Sequence, residues 1–157
     1  MDIEAWTKLF GKSEDDAVFN AAVAAAGVKK KPKLKRDRTF VQFDLKDSGL
    51  ALRMTDESYL KDLDDLDIGE GPLILSGVLA YLDRAVSDDI YKGKLPYKLA
   101  SGMARAAIRP ILGPPTRSTD EDDPPILDAW LRDGLEIIAT YSTSGKLTML
   151  GLRLPGA

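Results

Sequence analysis

A chain of 157 residues, 44% of them apolar, has the size of one domain and can bury roughly 70% of the surface its unfolded form exposes, so a single core is expected. It holds neither cysteine nor histidine, which excludes a disulfide framework, the usual zinc ligand sets, and Ser-His-Asp or Cys-His nucleophile systems. The formal charge of −3 conceals an asymmetry: residues 29 to 38 carry seven bases and one acid, leaving 15 bases against 24 acids in the rest of the chain.

Residues 1–27 read as two short helices. Asp2 is placed to cap the first, Glu4 suits its positive end, and Trp6, Leu9 and Phe10 give it an apolar face that stops at Gly11. Ser13 is placed to cap the second, acids at 14 to 16 suit its first turn, and Val18, Phe19, Ala22 and Ala25 recur at helical spacing before Gly27. Residues 28–38, interrupted by Pro32, form an extended basic connector.

Residues 39–154 are expected to form a sheet with one central helix. Val41, Phe43 and Leu45, then Leu50, Leu52 and Met54, alternate with other residues on either side of Lys46-Asp47-Ser48-Gly49, which predicts a β-hairpin with glycine at the positive φ. Leu73 to Leu82 extends the sheet, with Gly77 marking a bulge. Ser101 to Ile108 is predicted helical, ending or kinking at Arg109 because Pro110 lacks a donor and disfavours helical geometry before it. Residues 114–125 read as a Pro/Asp-rich loop, and a second hairpin follows: Leu135, Ile137, Ala139 and Tyr141, a turn at Ser142 to Gly145, and Leu147 to Leu154. This order predicts an α+β fold, an antiparallel sheet with helices packed on one face, in a single domain spanning 1–157.

Chemistry-bearing patterns are few. No Walker A sequence is present, and no G-x-G-x-x-G follows a strand. The acids concentrate in Asp56 to Glu70 and in Asp120-Glu121-Asp122-Asp123. Such runs are ordinarily solvated faces; their functional alternatives are a carboxylate pair holding Mg²⁺ in a small enzyme, or a surface turned to a partner. The basic run could neutralise phosphates, but no aromatic residue lies among its bases to stack a nucleobase and no nucleic-acid-binding module surrounds it, so nucleic acid is not the expected partner. The N-terminus shows no basic start followed by an apolar run, and no apolar stretch approaches the ~20 residues that span a bilayer. A cytoplasmic protein without membrane contact or cofactor is expected.

Tyr91-Lys92-Gly93-Lys94-Leu95-Pro96 and Leu112-Gly113-Pro114-Pro115 read as turns, the first with Tyr91 and Leu95 packed beneath it. Trp130 and Tyr141 read as core residues whose polar tips find partners. Taken in order with Leu9-Phe10-Gly11-Lys12-Ser13, Asp15-Asp16, Gly27 and Gly49-Leu50-Ala51-Leu52, these segments give a chain that resembles the small bacterial toxin-immunity proteins encoded beside pyocin-like or polymorphic toxins. It departs from them at the basic run and at Pro110. The resemblance implies a non-catalytic protein that binds and neutralises a cognate toxin domain in the cell that makes it; a regulatory adaptor is the other binding role compatible with the residues. Toxins acting on nucleic acid tend to be basic, so an acidic surface can imitate phosphate. The partner-binding candidates are therefore Asp56, Glu57, Tyr59, Asp62, Asp64, Asp65 and Asp67 in one segment and Asp120, Glu121, Asp122 and Asp123 in the other.

Overall fold

The computed structural model describes residues 1–62 and 69–157. Its centre is a seven-stranded antiparallel sheet: β1 (Phe40–Leu45), β2 (Leu50–Asp56), β3 (Leu73–Tyr81), β4 (Arg117–Ser118), β5 (Leu127–Arg132), β6 (Leu135–Tyr141) and β7 (Leu147–Arg153), in the spatial order β1-β2-β3-β7-β6-β5-β4. Two hairpin groups therefore meet through the β3–β7 pairing. The helices are short: α1 (Ile3–Thr7), α2 (Ala17–Ala25), α3 (Glu57–Leu60) and α4 (Arg105–Leu112). The molecule is mainly sheet with a few helices, consistent with the α+β expectation.

Side-chain alternation along each strand divides the sheet into two faces. One carries Phe43, Leu52, Val78, Leu152, Ile137 and Trp130 as a continuous row across six strands. These residues share a single core cluster with Ile3, Trp6, Phe19, Val23, Ile108 and Leu112 from α1, α2 and α4. The opposite face carries the row Gln42, Arg53, Gly77, Arg153, Glu136 and Leu131.

The first hairpin forms where the alternation places it, with Gly49 at φ 72°. The irregularity expected at Gly77 falls one residue earlier: Arg53 pairs with Gly77 and Met54 with Leu75, so Ser76 is the extra residue. Its buried hydroxyl is satisfied by Thr55 Oγ1 at 2.7 Å and by the carbonyl of Arg53 at 3.1 Å. Under the Tyr91 turn, the Tyr91 hydroxyl donates to the carbonyl of Lys94 at 2.9 Å and accepts from the Ile3 amide at 3.2 Å. A Cβ at Gly93 would overlap the Tyr91 ring.

Four local expectations need correction. Asp2 does cap α1, accepting from the Ala5 amide at 2.8 Å, but the helix ends at Thr7 rather than Gly11. The cap of α2 is Asp16, whose Oδ1 accepts from the amides of Val18 at 2.9 Å and Phe19 at 3.0 Å; Ser13 instead bridges to Ile74. Both residue types suit an N-cap, and the bridge of residue 13 to β3 moves the helix start three residues along. The central helix begins at Arg105, not Ser101, and runs through Pro110 to Leu112. Near the end of a two-turn helix proline forfeits one backbone bond, while the Gly113 amide still reaches the carbonyl of Arg109 at 2.7 Å, with Gly113 at φ 85°. Finally, β4 and β5 stand where the sequence reading places no strand before Leu135. The β5–β6 connection is a two-residue Asp133-Gly134 turn with φ of 54° and 76°, the pattern that matches hairpin twist.

Candidate functional site

Among the described residues, the acidic segments do not form one site. Asp56 is fully buried: it caps α3, accepting from the Tyr59 amide at 3.2 Å, the Gly69 amide at 2.7 Å and the Ser58 hydroxyl, so it holds its own loop and presents nothing to a partner. Burial raises its pKa, yet the bonds from Ser58, Gly69 and Tyr59 outweigh this and hold the carboxyl below its ordinary value. Glu57 pairs with Lys61 at 2.6 Å, Tyr59 is 47% exposed, and Asp62 is exposed. Asp64, Asp65 and Asp67 lie outside the described residues.

Asp120 to Asp123 occupy an exposed loop between β4 and β5, where an Asp120 oxygen accepts from the Asp122 amide at 2.9 Å. Four strand spacings separate β2 from β5, roughly 19 Å. The antiparallel register also puts the end of β2 and the start of β5 at opposite ends of the sheet. The described part of the first acidic segment and the Asp120–Asp123 loop therefore sit at diagonal corners. Among the described residues, no three acidic side chains gather as a metal site.

The densest polar constellation centres on Asp128, which the sequence reading did not single out. It sits at an inward position of β5, fully buried, beneath Arg105 and Arg109, which lie one turn apart on α4. Oδ1 accepts from Arg105 Nη2 at 2.7 Å, Arg109 Nη2 at 2.9 Å and Ser118 Oγ at 2.7 Å. Oδ2 accepts from Arg105 Nε at 3.1 Å, Arg109 Nε at 3.0 Å and the Tyr141 hydroxyl at 3.1 Å. Burial pushes the carboxyl up, but hydrogen bonds from Arg109, Arg105 and Ser118 hold it well below the carboxylate range. Burial, and then the Asp128 charge, pushes the Tyr141 phenol up. Every lone pair of Asp128 is used, so the group has no capacity left to take a proton from a substrate. Its work is to fasten α4 to β5, and Trp130, donating to the carbonyl of Gly113 at 2.8 Å, fastens the end of the same helix. Trp130 and Tyr141 are thus core residues with bonded tips, as expected.

The outward row of the sheet is the other distinctive arrangement. Gly77 on β3 and Gly151 on β7 leave a shallow groove of about 90 Å³, lined by Gln42, Arg53, Leu79, Ile138, Thr140 and Arg153. Arg153 is tied to Glu136 through Nε at 2.7 Å. Arg53 lies 3.5 Å over the centre of the Phe40 ring, and its buried Nε has no acceptor. Burial and then the Arg153 charge lower the Arg53 guanidinium to about 10, which leaves it cationic at neutral pH. Leu131, on the same face, is 60% exposed.

No family model matches the chain, and no curated protein matches it. One solved structure is similar over most of the chain: a DUF4309 family protein (YjgB) from Bacillus subtilis subsp. subtilis str. 168, 15% identical, with 86% of this chain and 76% of that one covered and a TM-score of 0.46. A likeness of that degree says nothing about what this chain binds.

Proposed function

We propose that this protein acts without catalysis by binding another protein, as an immunity protein that neutralises a cognate toxin domain. The reading begins from the resemblance carried by the turn and core segments of the sequence. The observation that supports it best is the outward face of the sheet, where Leu131 is 60% exposed, Leu79, Ile138 and Met149 are half-buried, and Arg53 keeps an unpartnered donor. Apolar surface bordered by charge is the common composition of a protein-binding patch.

The exposed acids fit at the rim. Asp120 to Asp123 put exposed negative charge at one corner of this face, while at the diagonal corner Tyr59 and Asp62 are exposed, Glu57 is paired with Lys61, and Lys35, Arg36 and Arg38 line a groove with Gly69, so a partner laid across this face would meet negative charge at one end and mixed charge at the other. Such charge speeds encounter and sets specificity more than it adds affinity. A standard interface takes about 800 Å² from each partner, more than either acidic loop offers and within the reach of a sheet face. Pull-down of the tagged protein with the product of the neighbouring gene, followed by co-expression, tests the reading. One stoichiometric partner whose toxicity is abolished supports it; a partner-free pull-down with undiminished toxicity overturns it.

A further inference from the structure

The groove on the outward face has features that a flat sheet does not need. Cross-strand neighbours of Gly77 are two arginines, one on each side, their backbones about 9.6 Å apart by strand spacing. The two arginines are not direct cross-strand partners, but the Arg153 charge still acts on Arg53 and disfavours its charged form. Glu136 pairs with Arg153 through Nε at 2.7 Å and Nη2 at 2.5 Å and approaches Arg117 at 3.8 Å, whereas among the described residues no carboxylate is in ion-pair contact with Arg53. The Arg53 Nε–H is buried with no acceptor, which costs free energy, and more for a charged group than for a neutral one.

The floor is equally specific. At Gly77 a Cβ would lie 3.1 Å from Arg153 Cβ and 3.2 Å from Arg53 Cβ, tight against both side chains that form the walls. At Gly151 a Cβ would meet nothing closer than Leu79 Cδ1 at 3.6 Å, so glycine there keeps the groove open without being demanded by packing. Volume decides the kind of occupant. Pockets that enclose whole small ligands run roughly 300–1,000 Å³. About 90 Å³ is space for the end of one side chain.

Resting on the partner-binding reading, we propose that the groove between Arg53 and Arg153 receives the carboxylate of one Asp or Glu side chain of the partner protein, its methylene stem lying over Gly77 and Gly151 and against Leu79 and Ile138. The carboxylate supplies the acceptor that Arg53 Nε lacks and relieves the opposed guanidinium charges. A planar guanidinium presents paired donors suited to a carboxylate. The partner would accordingly be basic where it meets Asp120 to Asp123 and carry one acidic side chain at its centre.

The groove can be tested with and without the partner. In the full wild-type chain, the Nε–H signals of Arg53 and Arg153 and the amides of Gly77 and Gly151 are followed by NMR during titration with N-acetyl-glutamate amide. Saturable shifts confined to these groups, absent with N-acetyl-glutamine amide, are expected. No response to the blocked glutamate, or a response to inorganic phosphate alone, overturns the inference. With a captured partner, Arg53→Gln and Arg153→Gln together are expected to weaken binding about ten- to a hundredfold, and Gly151→Val to weaken it by filling the groove. Arg53→Lys, which keeps the charge but loses the Nε–H and the paired donors, is expected to weaken binding measurably, though less than the double glutamine variant. A partner held as tightly by the double glutamine variant as by wild type overturns the groove while leaving partner binding in place. Failure to capture any partner overturns the functional reading and leaves the groove to the glutamate titration.

Discussion

Asp128 carries a large single-residue effect, because removing it leaves two arginines, a serine and a tyrosine without their shared acceptor. Breaking a buried ion pair by removing one member costs about 3–5 kcal/mol. Both guanidiniums reach solvent in part, with Arg105 22% and Arg109 43% exposed, so Asp128→Asn is expected near the lower end, about 3 kcal/mol, read as a lowered urea midpoint at unchanged slope. The same residue sets a pH dependence. Its folded carboxyl titrates below the unfolded value of about 3.9, so the stabilisation is complete above that pH and is lost as acid protonates the folded group beneath it. Urea midpoints measured from neutral pH into this acid range should fall more steeply for wild type than for Asp128→Asn; parallel curves would remove the clamp from the account of stability. Little of this was legible in advance. Tyr141 and Trp130 stood out by size, but a single Asp within an apolar stretch reads as a loop residue until α4 brings Arg105 and Arg109 over it.

Elements were legible in proportion to how far local pattern alone decides them. The first hairpin follows from alternation around a glycine-containing turn, the β6–β7 hairpin from alternation in its first strand, a Ser142–Gly145 turn and an apolar return, and α2 from apolar spacing. Strand β5 lacks a clean alternation, since Asp128 occupies an inward position and the apolar Leu131 an outward one; its one local signal is the Asp133-Gly134 turn after it. The start of α2 was misplaced because Ser13 and Asp16 suit the same role, and only the bridge from Ser13 to Ile74 separates them. Asp16→Ala should therefore cost about 1 kcal/mol through loss of the cap, while Ser13→Ala should cost less. Chemical denaturation of the two variants checks the order; equal losses would assign the cap to both. Gly93→Ala is expected to loosen the Tyr91 turn by overlap with the ring and lower the thermal midpoint, whereas alanine at Gly151 meets only ordinary contacts and should leave it nearly unchanged.

For the whole molecule, the sequence indicated a single core and an acidic body but not how the acidic segments are disposed. That depends on the β3–β7 pairing, a long-range contact that joins the two hairpin groups and sends the described parts of those segments to diagonal corners. The groove was illegible for the same reason: Arg53, Gly77 and Arg153 lie far apart in the chain and meet only across that pairing. A carboxylate enzyme would bind a divalent ion at one acidic loop, and millimolar Mg²⁺ is expected to leave the thermal midpoint unchanged; a saturable rise would favour the enzyme. Partner binding over the outward face is the central claim, and Leu131→Glu tests it most directly, because a residue 60% exposed can be changed there with little cost to folding. Calorimetric titration of wild type and Leu131→Glu against the captured partner is expected to show affinity reduced at least tenfold in the variant, with circular dichroism and thermal midpoint preserved. Equal affinity would place the partner on another surface and contradict the account.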